Sequence, residues 1–173
     1  MSHHYLRFDD VHYRYPNGYE ALCGVSFRIT HGEKVALVGA NGAGKSTLLL
    51  HTNGLLMPSQ GGVVLGGIAL TRRTLPLVRQ SVMDEPTSNL DPRARRQIID
   101  LIRRFSHTTL IATHDMEMVL DLCDRTIVMK EGRIVADGST RHVFGDLALL
   151  EECGLEQPCE LRMKRALKKE YAP

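Results

Sequence analysis

The sequence predicts an α/β fold: a mostly parallel sheet flanked by helices around a phosphate-loop core, with a small antiparallel β-subdomain. Three observations predict it. The apolar run Val35-Ala36-Leu37-Val38 leads straight into Gly39-Ala40-Asn41-Gly42-Ala43-Gly44-Lys45-Ser46-Thr47, and Leu48, Leu49 and Leu50 come next in a helical stretch to Asn53. Thr109-Leu110-Ile111-Ala112 is a second short apolar run, suited to a buried parallel strand. Residues 6–15 alternate through Leu6, Phe8, Val11, Tyr13 and Tyr15, the period of half-buried antiparallel strands.

In chain order, Asp9-Asp10 is expected to break the first alternating stretch, Pro16-Asn17-Gly18 to turn, and Val25 to Ile29 to form a strand. His31-Gly32-Glu33 turns the chain into the strand 35–38. After the first helix, Met57-Pro58-Ser59-Gln60-Gly61-Gly62 is a loop, and residues 63–70 form a hairpin about Gly66-Gly67. Arg72 to Gln80 is basic and mixed, read as a helical turn interrupted by Pro76. Asp91-Pro92 has the chemistry of a helix start, with Asp91 as N-cap and Pro92 in the first turn. Ile98, Leu101, Ile102 and Phe105 then recur at helical spacing as the predicted apolar face. Met116 to Cys123 is a short helix with Met116, Val119, Leu120 and Cys123 on one side. Residues 125–136 form a hairpin about Glu131-Gly132, and Thr140 to Cys153 is predicted as one helix. Residues 162–169 are a basic helical segment: a solvated end, or a contact for a partner or an anionic membrane surface.

The 173 residues suffice for one domain with a core, and 43% hydrophobic with 24% charged residues is ordinary for a globular protein. A net charge of +2 gives no electrostatic case for nucleic acid. No apolar run approaches the roughly 20 residues of a membrane-spanning helix, and no secretory signal opens the chain. Cys23, Cys123, Cys153 and Cys159 lack metal-site spacing and are expected as free thiols of a reducing cytosol. His3-His4 is assigned no metal.

Residues 39–47 fit G-x-x-x-x-G-K-[ST] without a mismatch. Gly39, Gly42 and Gly44 allow positive φ and a close approach of backbone N–H groups to an anion. Lys45 reaches phosphate oxygens as a point charge, and the Ser46 hydroxyl can ligate Mg²⁺. The helix after the loop adds positive potential at its N-terminus. Asp84-Glu85-Pro86 has two readings: the acidic half of a phosphate-loop ATPase site, with one carboxylate for Mg²⁺ and one for the attacking water, or an exposed acidic turn. Only Val82 and Met83 directly precede it as apolar residues. Tyr15 is either an adenine-stacking ring or a sheet-face aromatic. His114 lies at the carboxyl end of the strand 109–112, where open α/β sheets bind ligands.

Together these pieces resemble an ABC-type ATPase subunit. The run Asp84-Glu85-Pro86-Thr87-Ser88-Asn89-Leu90-Asp91-Pro92 looks like that family's second acidic motif joined to its D-loop, His114 like its switch histidine, and Tyr15 like its adenine-stacking aromatic. Tyr15-Pro16, residues 48–56 and Thr87-Ser88-Asn89-Leu90-Asp91 look most like the ATP-binding subunits of cobalt and nickel importers of the energy-coupling-factor type. The resemblance spans about Tyr5 to Leu155. It implies ATP and Mg²⁺ as cofactors, with Tyr15, Gly39, Asn41, Gly42, Ala43, Gly44, Lys45, Ser46 and Thr47 on the nucleotide, Ser46 and Asp84 on the metal, and Glu85 and His114 as catalytic residues. It also implies transmembrane importer subunits and a homo- or hetero-dimer of ATPase subunits as partners, no nucleic acid, and a place at the cytoplasmic face of the cell membrane.

One departure is large. In the family a helical subdomain with an L-S-G-G-Q-type signature separates the Q-loop from the acidic motif. Here Val78-Arg79-Gln80-Ser81-Val82 resembles the approach to the Q-loop, and Met83-Asp84-Glu85 is already the far side. Gln80 precedes the expected Q-loop position. The sequence therefore reads as an ATP-binding domain over 1–155, internally truncated near 81–83, with a basic tail over 156–173. The alternative is a non-catalytic nucleotide-binding protein or an inert remnant of such a subunit.

Overall fold

A computed structural model describes the backbone of residues 4–71 and 81–170 and the side chains of 6–71 and 82–167. The reading of Arg72 to Gln80 as a helical turn lies outside the described residues. Nine strands form two sheets among the described residues. The antiparallel sheet has the order β2-β1-β4-β5, from β1 (His4–Arg14), β2 (Glu20–Thr30), β4 (Gln60–Leu65) and β5 (Ile68–Ala69). The other has the order β6-β7-β3-β8-β9, from β3 (Lys34–Val38), β6 (Ser81–Asp84), β7 (Thr109–Ala112), β8 (Arg125–Lys130) and β9 (Arg133–Ser139). Strands β6, β7, β3 and β8 are parallel, and β9 returns antiparallel to β8.

Alternation along the central strands shows why their sequences are continuously apolar. Val35 and Leu37 of β3, Leu110 and Ala112 of β7, and Ile127 and Met129 of β8 face the layer shared with the antiparallel sheet and with Leu48 and Leu49 of α1 (Lys45–Thr52). Ala36, Val38, Ile111 and Val128 face the opposite layer, under α2 (Pro92–Arg103), α3 (Met116–Leu122), α4 (Thr140–Val143) and α5 (Leu147–Glu152). A strand covered on both sides has no face on which water would favour a polar residue.

Several expectations are corrected. Asp9-Asp10 does not end a strand: β1 runs through it as a bulge, with Asp10 at φ +47° and the register to β2 shifting between Phe8 and Val11. On α2 the capping holds, with the Asp91 carboxylate accepting from the N–H groups of Arg93 and Ala94 at 2.8 and 3.1 Å. Its apolar face is rotated, however: Ile99 and Ile102 are buried while Leu101 is exposed. On α3, Met118 is buried as well, while Leu120 packs half-buried against the second core layer with the expected Met116, Val119 and Cys123. Thr140 to Cys153 is two helices, because Gly145 interrupts the run and Asp146 caps the second, accepting from Leu149 N–H. The terminal helix α6 (Cys159–Glu170) begins earlier than the basic segment, and Leu161 packs against the second core layer.

Candidate nucleotide-binding site

The loop after β3, the end of β6 and the end of β7 lie side by side at the carboxyl edge of the parallel sheet. Register fixes this: Leu37 and Met83 flank β7 at Ala112 and Ile111, so the segments leaving the three strands emerge at the same rim. Gly39 has φ +155°, and a Cβ there would meet the Met129 carbonyl at 2.3 Å. Gly44 has φ +102°, caps α1, and would place a Cβ at 2.6 Å from the Ala21 carbonyl. Neither position admits a side chain without moving backbone. Between them Asn41 and Gly42 are exposed and Ala43 is buried as the loop's anchor. The result is a cleft of about 290 Å³ lined by residues 41–47, Tyr19, Asp84 and Glu85.

The Lys45 ammonium lies back over its own loop, donating to the carbonyls of Gly39 and Ala40 at 2.7 and 3.1 Å. Partial burial holds it below the ordinary lysine range, against the opposing pull of Glu85 and then Asp84. Ser46 Oγ donates to Asp84 Oδ2 at 3.3 Å, so the two residues read from sequence as metal ligands meet across the sheet rim. Thr47 is buried, and its hydroxyl meets the Tyr15 hydroxyl at 3.0 Å.

Glu85 sits at φ +47°, with its N–H bonded to the Ala112 carbonyl at 2.8 Å. That turn aims its carboxylate along the rim. Oε1 meets His114 Nδ1 at 2.8 Å, and Oε2 accepts from Thr113 Oγ1 at 3.0 Å. The structure thus brings the phosphate loop, Ser46, Asp84, Glu85 and His114 to one edge. Tyr15 is placed beside them through Thr47, its ring edge-on to Tyr13 at 4.9 Å between centroids.

The residues can hold a Mg-nucleotide. The cradle glycines leave room for an anion against bare backbone, and α1 presents its N-terminus there. Among the described residues no group of three or more His, Cys, Asp or Glu could hold a metal by itself. One carboxylate and one hydroxyl suit Mg²⁺, which takes its other ligands from phosphates and water.

Sequence reasoning left Arg95, Thr87 and Asp115 without roles. Arg95 donates twice to Asp115, each bond 2.8 Å, and Thr87 Oγ1 donates to Asp115 Oδ2 at 3.0 Å. Asp115 also caps α3, accepting from Met118 N–H. This ties the segment after Glu85 to the segment after His114. The signal was the acidic residue beside His114 and an arginine at the fourth position after Asp91, one turn into a capped helix. Partial burial raises the Asp115 carboxyl, but Arg95 and the Met118 and Thr87 donors outweigh it, and the group titrates below the usual carboxylate range. Its stabilisation is therefore present above the ordinary value of 3.8 and is lost as pH falls through the lowered one. Arg95→Ala is expected to cost about 1–3 kcal/mol near neutral pH, with the deficit shrinking below about pH 4. Thermal melts of both proteins across pH check this, and a deficit independent of pH contradicts it.

Among the described residues no helix is long and apolar enough to cross a membrane. The ABC transporter family model matches residues 22–141. The chain is 38% identical to a protein of Geobacter sulfurreducens named as an ABC transporter ATP-binding protein, over 94% of this chain and 97% of that one. That alignment runs over 242 positions against 173 residues here, so at least 69 positions of the relative (242 less 173) face none in this chain. The chain is 28% identical to the energy-coupling factor transporter ATP-binding protein EcfA2 of Methanospirillum hungatei, over 94% of this chain and 62% of that one. In fold it is similar to cbiO1 of Clostridium perfringens, part of the ABC transporter complex cbiONQ, with a TM-score of 0.76, 23% identity, and coverage of 97% of this chain and 100% of that one. A dimeric ATP-binding cassette bound to ADP and Pi superposes with a TM-score of 0.71 at 18% identity, over 79% of this chain and 99% of that one. By the family match and the Geobacter relative, this chain belongs to the ABC transporter ATP-binding proteins, with the mixed α/β fold and phosphate-loop core of that family.

Proposed function

We propose that the chain is the nucleotide-binding subunit of a membrane importer for a divalent transition metal, cobalt or nickel. The observation that carries the nucleotide part is the meeting of Ser46 and Asp84 beside the phosphate loop, with Glu85 and His114 paired next to them. In this reading residues 39–47 hold the phosphates, Ser46 and Asp84 hold Mg²⁺, Tyr15 stacks on adenine, Glu85 orients and deprotonates water, and His114 stands at the γ-phosphate. Bound Mg²⁺ supplies charge neutralisation at the phosphate oxygens. Glu85 is prepared for its part by Thr113 and His114, which fix its carboxylate at both oxygens. Lys45 is prepared for its own by having only two loop carbonyls to leave.

The importer part is supported by the energy-coupling-factor relatives and by the motifs at residues 48–56 and 87–91. It places the chain at the cytoplasmic face of a membrane, paired with a second ATPase subunit and with transmembrane subunits. Residues 1–155 are the ATP-binding domain and 156–173 a basic tail. The alignment with the Geobacter relative reaches close to both ends of both chains, so its unmatched positions are internal, which supports an internal truncation, proposed to lie near residues 81–83.

Purification from detergent-solubilised cells through a tag on this chain is expected to recover polytopic membrane proteins, and loss of the chain is expected to lower cellular uptake of Co²⁺ or Ni²⁺. Recovery with ribosomes or nucleic acid instead, or unchanged uptake of both ions, contradicts the proposal.

A further inference from the structure

The sequence supplies one aromatic for the base, Tyr15, but the structure puts a second beside it. Tyr19 closes the turn that Tyr15 opens: Tyr15 N–H donates to the Tyr19 carbonyl at 2.8 Å, Gly18 N–H donates to the Tyr15 carbonyl at 2.9 Å, and Asn17 Oδ1 accepts from Tyr19 N–H at 3.1 Å. The two tyrosines thus face each other across a short hairpin. Their rings are 16° from parallel, with centroids 6.4 Å apart. Both hydroxyls reach the phosphate loop and its helix, Tyr15 to Thr47 Oγ1 and Tyr19 to the Gly42 carbonyl at 3.1 Å. Both tyrosines are therefore tied through their hydroxyls to the edge of the phosphate loop and its helix. Tyr19 lines the cleft and is half exposed, at 52%.

We infer that Tyr19 is a second base-binding ring, which stacks on the outer face of the nucleobase while Tyr15 takes the inner face. This rests on the nucleotide-binding reading above. Aromatic layers touch at roughly 3.5 Å, so a base between two rings needs about 7 Å. The rings, near-parallel with centroids 6.4 Å apart, must open to that separation between their planes to admit a base. Rotation of the exposed Tyr19 supplies that movement and releases its hydroxyl from Gly42. The Tyr19 ring therefore binds the base, and its hydroxyl is a latch that holds the ring over the loop until the base arrives.

The test is calorimetric titration of the full chain with Mg-ATP and, separately, with Mg-tripolyphosphate, which has the phosphates and no base. Base–aromatic stacking predicts that Tyr19→Ala weakens Mg-ATP binding about 5- to 100-fold. Tripolyphosphate binding should be unchanged, which also shows that the variant is folded. Tyr19→Phe keeps the ring and should bind Mg-ATP at least as tightly as the wild type. Equal Mg-ATP affinity for Tyr19→Ala and wild type overturns the inference, as does a parallel loss for both ligands. A Tyr19→Phe defect as large as that of Tyr19→Ala overturns it too, by making the hydroxyl the working group. Wild-type protein that binds neither ligand overturns the nucleotide reading and this inference together.

Discussion

Purified alone, the chain is expected to hydrolyse Mg-ATP at least about 100-fold more slowly than an intact relative of the same family. The resemblance implies a γ-phosphate held between one subunit's loop and the signature of the other. The signature adds a helix N-terminus and backbone donors, and removing even one donor of this kind commonly costs on the order of 100- to 1000-fold in rate. A homodimer of this chain would lack the signature at both sites. Glu85, fixed by Thr113 and His114, could still direct a water, but the phosphorus it must meet would not be ordered. Mixing with an intact relative changes the expectation. The relative's signature completes the site at Lys45 and its own site stays open, so one competent site per dimer is the ceiling, and Glu85→Gln in this chain abolishes it. Steady-state phosphate release measures all three cases. Turnover by the chain alone at roughly one per second or faster, abolished by Lys45→Ala, contradicts the account.

The parts legible from sequence were those in which a local pattern has one physical solution. The strand, glycine loop and helix over 35–52 could be read because Gly39 and Gly44 stand where backbone leaves no room for Cβ. The N-cap at Asp91 could be read because the capping geometry is local. Pattern failed where tertiary contacts decide. The faces of α2 and α3 are set by the strands and helices beneath them, so Ile99 went in where Leu101 was expected, and Met118 joined the expected face of α3. The Asp10 bulge was hidden because a bulged strand and a broken one share the same acidic pair. At the site, Asp84 and Glu85 came from resemblance, whereas the Arg95–Asp115–Thr87 ties and the Tyr15–Tyr19 pair join residues whose meeting depends on the folded chain.

Everything proposed for the site depends on residues 39–47 being a working phosphate cradle. Lys45 is its one long cation, half-buried, lying over the Gly39 and Ala40 carbonyls and drawn toward Asp84 and Glu85. Truncating it leaves two carboxylates facing an incoming triphosphate without the charge that opposes them. A charge-assisted contact in a partly desolvated site contributes about 1.5–3 kcal/mol, and the uncompensated repulsion adds to the loss. Lys45→Ala is therefore expected to weaken Mg-ATP binding by about 100-fold or more. The variant should melt within about 1 kcal/mol of the wild type, since the side chain supports no core contact. Equilibrium titration of a fluorescent ATP analogue against wild type and Lys45→Ala, in the presence of Mg²⁺, measures this directly. Saturable binding by the wild type and its loss in the variant is the predicted result; equal binding by the two would contradict the account.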